Sequence, residues 1–324
     1  MRAFDYLRAQ TEGEALAAAG QDGAAFIAGG TDLMPLWKAG VAAPGLLIDI
    51  GRLPLAEVTA RDGGLVFGAT ARLADIADHP EVRRRHPAIA QAIEASASGQ
   101  VRNMATLGGA LLQRTRCVYF RSGITPCEKL EPGSGCAAVA GENRLHAIFG
   151  GGPSCVATHA SDLAVALVAL DAQVRLRSLA GERVLPLTAL YLPAGESPAR
   201  ETVLVPGEMI VAVEVPDAGG RSLYLKIRDR ASFEFAVVSV AVALEVADGR
   251  VQSVRLAAGG VGTMPWRLRA SEAALTGAEA GEAVFRAAAG LAADGAQPLA
   301  HNGFKIELLK RTVLRALVQA GDQT

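Results

Sequence analysis

No long run of one charge sign occurs anywhere in the 324 residues, and 32 basic against 33 acidic side chains leave a net charge of −1. A nucleic-acid ligand demands a basic face, so DNA and RNA are excluded as partners. No apolar stretch approaches the ~20 residues that span a bilayer, which excludes membrane insertion. The opening segment MRAFDYLRAQTEGEALAAAG is interrupted by Asp5, Arg8, Glu12 and Glu14, so the unbroken apolar region of a signal peptide is missing. Taken alone the chain reads as cytoplasmic, and a periplasmic location would require export as part of a complex carrying a partner's signal.

Catalytic signatures are equally scarce. There is no H-E-x-x-H, no Ser-His-Asp order and no close pair of carboxylates. His146 and His159 read as ordinary loop histidines, and the run Arg83–His86 as a solvated helical face. Cysteine is absent outside residues 117 to 155. The sequence therefore points away from substrate chemistry of its own and towards binding.

What is present falls into three regions. Up to about residue 60, a helical stretch at Glu12–Ala19, an apolar strand at Ala24–Ala28, a helix at Leu33–Ala39 and a strand at Gly45–Ile50 outline an α/β unit. From 61 to 217, a hairpin turn at Asp62-Gly63-Gly64 precedes a helical stretch over Leu73–Ala97. Residues 114 to 158 then lack any period, a length that compact domains tolerate only when something orders it. A capped helix at Ser161–Leu170 and a strand at Gln173–Arg177 follow. After a break at Pro216–Gly220, strands at Ser222–Arg228, Ala236–Glu245 and Val251–Ala258, Ala-rich helices and an amphipathic helix at Lys305–Val318 predict an α+β domain.

Two glycine pairs sit at turns. In Ala25-Phe26-Ile27-Ala28-Gly29-Gly30-Thr31-Asp32-Leu33 the glycines directly follow a strand, where bare backbone amides suit a pyrophosphate. The segment is neither G-x-G-x-x-G nor a P-loop, so a plain tight turn is the competing reading. Thr106-Leu107-Gly108-Gly109 is the second turn, and Ser161-Asp162 at a helix start is a third polar contact. Together they suit an extended dinucleotide laid along backbone. Lys226 and Arg228 alternate on an apolar strand, which leaves a buried or ligand-facing lysine and a solvated face equally open.

Cys117, Cys127, Cys136 and Cys155 are separated by nine, eight and eighteen residues. Four thiolates on one irregular loop match a [4Fe–4S] cluster or a zinc ion, either of which would order the loop. Two disulfides or four free thiols also remain open, although zinc sites usually contain the C-x₂₋₄-C pairs that are missing here.

FIAGGTDL, ATLGGALLQRTRC, PCEKLEPGSGCAAVAGENRLHAIFGG and THASDLAVALVALDA together resemble the FAD-binding medium subunit of the xanthine-oxidase type of molybdenum hydroxylases, over essentially the whole chain. The cysteine-bearing insertion is similar to that of the flavin subunit of bacterial periplasmic aldehyde oxidoreductases. The flavin subunits of 4-hydroxybenzoyl-CoA reductase, which also carries a four-cysteine loop, and of xanthine dehydrogenase are the related alternatives.

The resemblance implies an α+β protein. A vanillyl-alcohol-oxidase (PCMH) type FAD-binding domain of two α/β subdomains would span 1–218, with its cysteine loop at 114–158. A C-terminal α+β domain of the carbon monoxide dehydrogenase flavoprotein type would span 219–324. It implies FAD contacts at Ala25 through Leu33, Thr106, Gly109, Asp162, Ile210 and Lys226, with Asp32 standing where some relatives have Asn. It implies Cys117, Cys127, Cys136 and Cys155 as ligands of a [4Fe–4S] cluster. The expected partners are a large molybdopterin subunit, which hydroxylates an aldehyde to a carboxylic acid, and a small [2Fe–2S] subunit, with electrons leaving through FAD to an external acceptor. A self-sufficient flavin oxidase and a zinc-binding scaffold are the readings from other classes.

Overall fold

The computed structural model describes residues 3–194 and 198–322. The extreme ends of the expected domain spans, residues 1, 2, 323 and 324, lie outside the described residues. Among these, strands assemble into three separate sheets. The first is wholly parallel, with β1 (Asp5–Arg8), β2 (Ala24–Ile27) and β3 (Leu46–Asp49) in the order β1-β3-β2. Parallel neighbours require crossovers, supplied here by the helices Glu12–Ala18 and Leu33–Lys38. Thr11 starts the first helix by accepting the Glu14 amide on its hydroxyl, 3.1 Å away. The expected α/β unit is present, with β1 an addition the sequence reading lacked.

The second sheet is antiparallel, β4 (Val58–Arg61), β5 (Gly64–Gly68), β6 (Gln173–Ser178), β7 (Gly181–Pro186) and β8 (Met209–Pro216), ordered β4-β5-β8-β6-β7. The helical stretch expected over Leu73–Ala97 is interrupted: it divides into Leu73–Asp78, Pro80–Arg85 and Pro87–Glu94. Each proline opens a new helix because it has no N–H to give to the preceding turn and its ring fits only the first positions.

The third sheet holds β9 (Arg221–Ile227), β10 (Val238–Ala247), β11 (Arg250–Gly259) and β12 (Trp266–Arg267), ordered β12-β11-β10-β9. Strand β10 is apolar on both faces but graded in size. Val238, Val240, Val242 and Leu244 join the core under the final helix, Phe304–Gly321. Ala241 and Ala243 face the opposite way, into the core that contains the helix Asp162–Ala169. The small face permits close approach: a Cβ on Gly259 would lie 2.6 Å from a methyl of Val165. All 8 residues of the Asp162–Ala169 helix are buried, so it forms the seam between the four-stranded sheet and the layer built on the five-stranded one.

Residues 114 to 158 are ordered without period. Two short helices, Val118–Ser122 and Ala137–Ala140, are joined by side-chain bonds to backbone. The Glu128 carboxylate accepts the amides of Gly133 and Gly135, both at 2.8 Å, and the Ser134 hydroxyl accepts that of Cys127 at 3.0 Å. Phe120, Leu36 and Cys127 form a small core that seats the segment on the Leu33–Lys38 helix. Its far end is clamped from the C-terminal part. Asn302 donates to the carbonyls of His146 and Ala147, and the buried Lys305 ammonium donates to those of His146 (2.9 Å) and Gly260 (2.6 Å).

Burial pushes Lys305 down from 10.5 to about 7. A lysine with a depressed folded pKa holds fewer protons folded than unfolded, so its contribution makes stability rise with pH between about 7 and 10.5. Urea unfolding of wild type and Lys305→Met at about pH 7 and about pH 9.5 checks this: the wild-type stability, relative to the variant, should increase with pH. A pH-independent difference would show that the buried lysine titrates as it does in the unfolded chain.

Candidate cofactor-binding site

Residues 25–33 form one wall of a cleft of about 250 Å³; Ala69, Thr106, Gly108 and Gly109 form the second, and residues 208–210 the third. The two glycine turns therefore face each other. At Gly29 a Cβ would lie 1.8 Å from the Met104 carbonyl oxygen, so only glycine lets the two loops meet. Gly30 has φ +67, in the left-handed region glycine enters without strain. Among the described residues, the amides of Gly30, Thr31, Asp32, Leu33 and Gly109 donate to no other protein group. Half-buried N–H groups without partners are costly, and the four on the first turn, with that of the exposed Gly109 on the second, make a site for anionic oxygens.

The charge of the cleft is arranged from the cysteine segment. Arg114 lines the cleft, and its own amide donates to the Asp32 carboxylate at 2.8 Å. The same carboxylate pairs with Arg116 at 2.7 Å and Arg121 at 2.9 Å. Asp32 thus turns its side chain away from a ligand and towards three groups of the cysteine segment. Arg114 also pairs with Glu201, which Lys129 holds from the other side at 2.9 Å. Burial lowers the Arg116 guanidinium, with the Asp32 charge opposing the shift.

Asp162 is buried in the first turn of the seam helix. Lys226 donates to its carboxylate at 2.8 Å and the Tyr224 hydroxyl to its other oxygen. Lys226 also donates to the Ala95 carbonyl at 3.1 Å. Burial raises the Asp162 carboxyl, and Lys226 opposes that. Asp162 lines a second hollow with Arg116, His159 and Phe235. That hollow shares Arg116, Thr158, Phe235 and Ala236 with a larger one of about 550 Å³ that reaches Cys117 and His146.

The four cysteines form no disulfide. Cys127 and Cys136 oppose each other across an antiparallel bridge, while Cys117 packs against the groups around both Cys127 and Cys155. Burial pushes the Cys117 thiol up to about 11, with Cys127 and Cys155 adding to the rise. Cys155 is raised too, first by burial and then by Cys136 and Cys127. The raised Cys117 and Cys155 thiols would need a nearby cation to become thiolates. Among the described residues no three His, Cys, Asp or Glu side chains converge closely enough for one metal ion.

A family model described as the FAD binding domain in molybdopterin dehydrogenase matches residues 2–218, and one described as the CO dehydrogenase flavoprotein C-terminal domain matches residues 223–320. The chain belongs to this family of FAD-binding subunits. Within it, the aldehyde oxidoreductase FAD-binding subunit PaoB of Escherichia coli K12 is 46% identical over 327 residues, covering 100% of both chains. The glyceraldehyde dehydrogenase medium chain of Sulfolobus acidocaldarius is 29% identical over 82% of this chain and 78% of its own. A solved carbon monoxide dehydrogenase from Hydrogenophaga pseudoflava superposes with a TM-score of 0.78 at 27% identity, covering 99% of this chain and 98% of that one.

For this family member, the structure brings Ala25 through Leu33, Thr106, Gly109 and Ile210 to one cleft and keeps Asp162 and Lys226 together outside it. The alternation of Lys226 and Arg228, open in the sequence, resolves at Lys226 to a buried lysine whose side chain is 4% exposed. The solvated Arg83–His86 face holds only in part: His86 is fully buried. His146 and His159 lie in loops, outside helices and strands, with His146 buried against Cys117 and His159 lining the second hollow. Sequence reasoning missed the arginine trio around Asp32, whose only trace is three basic residues crowded into RTRCVYFR. No helix is long and apolar enough to cross a membrane among the described residues.

Gly29→Ala should force the two turns apart, because the backbone oxygen of Met104 has no flexible end to move. The expected outcome is flavin binding weaker by at least about 100-fold, near 2.7 kcal/mol, in a fluorescence-quenching titration with the fold kept by circular dichroism. Unchanged affinity would place the cofactor elsewhere.

Proposed function

We propose that this chain is the FAD-binding electron-transfer subunit of a molybdenum-dependent aldehyde oxidoreductase. The observation that carries it is the set of unpartnered amides at Gly30, Thr31, Asp32, Leu33 and Gly109, residues that line one cleft beside Arg114. That chemistry fits the pyrophosphate of FAD, with Ala25 through Leu33, Thr106, Gly109 and Ile210 as its walls. Asp162 and Lys226 are the remaining contacts of the reading, at the far end of the path from the pyrophosphate. We place the division between the two domains at residues 218 and 219. Full-length similarity to a subunit whose name specifies an aldehyde supports the substrate class.

Bound FAD supplies the exchange between electron pairs and single electrons. The chain's own residues hold it. The glycine turns donate to phosphate oxygens, Arg114 adds positive charge, and the buried Asp162–Lys226 pair fixes polar groups at the seam. Oxidation of an aldehyde and water to a carboxylic acid belongs in this reading to a large molybdopterin subunit, with a small [2Fe–2S] subunit between. The final acceptor is external, and the compartment is that of the assembled complex.

Cys117, Cys127, Cys136 and Cys155 form the ligand set of a [4Fe–4S] cluster in this reading. The four thiols form one group: Cys127 faces Cys136 across a bridge, and Cys117 packs with the side chains around both Cys127 and Cys155. Four thiolates are the ligand number of a cubane, whose irons would neutralise them.

Two measurements test the reading. Flavin and iron analysis of the purified chain should give about one FAD and about four irons, with a broad visible band that dithionite bleaches and Cys127→Ser diminishes. Flavin without iron, or zinc in its place, would sink the cluster assignment and leave the flavin assignment standing.

A further inference from the structure

The ring of His146 makes one side-chain hydrogen bond, and it is to sulfur: Nε2 lies 3.2 Å from Cys117 Sγ, while Nδ1 is buried with no partner among the described residues. The residue is 6% exposed and cannot swing away. Its carbonyl is held by both Asn302 and Lys305, and Asn143 just upstream accepts the His301 amide at 2.9 Å. Tyr119, two residues after Cys117, packs beside the ring at 6.1 Å between centroids. The final helix thus presses one imidazole nitrogen onto one of the four thiols.

We propose that His146 is a positioning residue that donates Nε2–H to the Cys117 thiolate and so raises the reduction potential of the iron–sulfur centre. The inference rests on the cluster reading above. A metal-bound thiolate has no proton, so a nitrogen at hydrogen-bond distance must be the donor. The resulting tautomer carries no proton on Nδ1, which has no hydrogen-bond partner among the described residues. Adding an electron increases the negative charge on the ligand sulfurs, and a fixed N–H therefore stabilises the reduced state more than the oxidised one. Cys117 also lines the large hollow that runs towards Asp162, so the tuned ligand is the one on the side of the flavin path.

The test is a potentiometric titration of the full chain, followed by electron paramagnetic resonance for the cluster and by absorbance for the flavin, in wild type, His146→Ala and His146→Gln. The alanine variant should lower the cluster midpoint by the equivalent of about a tenfold change in the reduced-to-oxidised ratio, 59 mV for one electron. The glutamine variant, which keeps an N–H at similar reach, should recover most of the shift, and the flavin midpoint should stay put. An unchanged cluster midpoint in His146→Ala overturns the proposal, as does an equal movement of flavin and cluster. Loss of iron from both variants would make His146 part of the centre's assembly and also overturn it. A wild-type chain with flavin but no cluster signal would instead overturn the cluster reading itself.

Discussion

The Asp32 carboxylate joins the two halves of the site. Asp32 lines the cleft from the glycine turn, and its carboxylate accepts the Arg114 amide and pairs with Arg116 and Arg121. Three arginines within eight residues would repel one another and leave donors unpaired in a half-buried setting. The Asp32 carboxylate pairs with the Arg116 and Arg121 guanidiniums and accepts the Arg114 amide, while Glu201 pairs with the Arg114 guanidinium, and together they fix the start of the cysteine segment against the wall of the anion cleft. Arg121 reinforces this by donating to the carbonyls of Arg114 and Thr115, and both Arg114 and Arg121 lie over the Phe120 ring. A displacement of the glycine turn is therefore felt at Cys117, and the reverse.

The sequence disclosed most where structure is local. A strand followed by paired glycines needs only its neighbours to form a turn with bare amides, and the capped helix at Ser161 is written in adjacent residues. Strand β8 was missed because it lies far along the chain from both partners, β5 and β6, and only their pairing defines it. The order of residues 114 to 158 was illegible for another reason. It comes from single side chains reaching backbone over five to seven residues, as Glu128 does to Gly133 and Gly135, and such bonds leave no period. Whether Lys226 faced solvent or ligand could not be read from alternation alone. The answer depended on which face of β9 met the seam helix.

That seam sets how the two domains share a site. The face of β10 made of Ala241 and Ala243 admits a helix with no polar surface except at its first turn, where Ser161 caps it and Asp162 points inward. The buried carboxylate then requires partners, and the opposing strand provides Tyr224 and Lys226 on alternate positions of one face. A polar pair enclosed in this way fixes register between the sheets more than it adds stability, since separating either partner would strand the other charge. The second clamp, from Asn302 and Lys305 onto residues 146 and 147, fixes the cysteine segment to the same C-terminal unit.

These placements explain why no acid–base machinery was visible. Among the described residues three deeply placed carboxylates are already engaged: Asp162 with Lys226, Glu201 with Lys129 and Arg114, Glu272 with Arg267. A general acid or base must be free to exchange its proton with a substrate at working pH, and groups locked in pairs are not. What the fold leaves unpartnered instead are backbone amides around a cleft. Bare amides are ligands for anionic oxygens rather than reagents for a substrate, and at that cleft the chain contributes by holding a group in place.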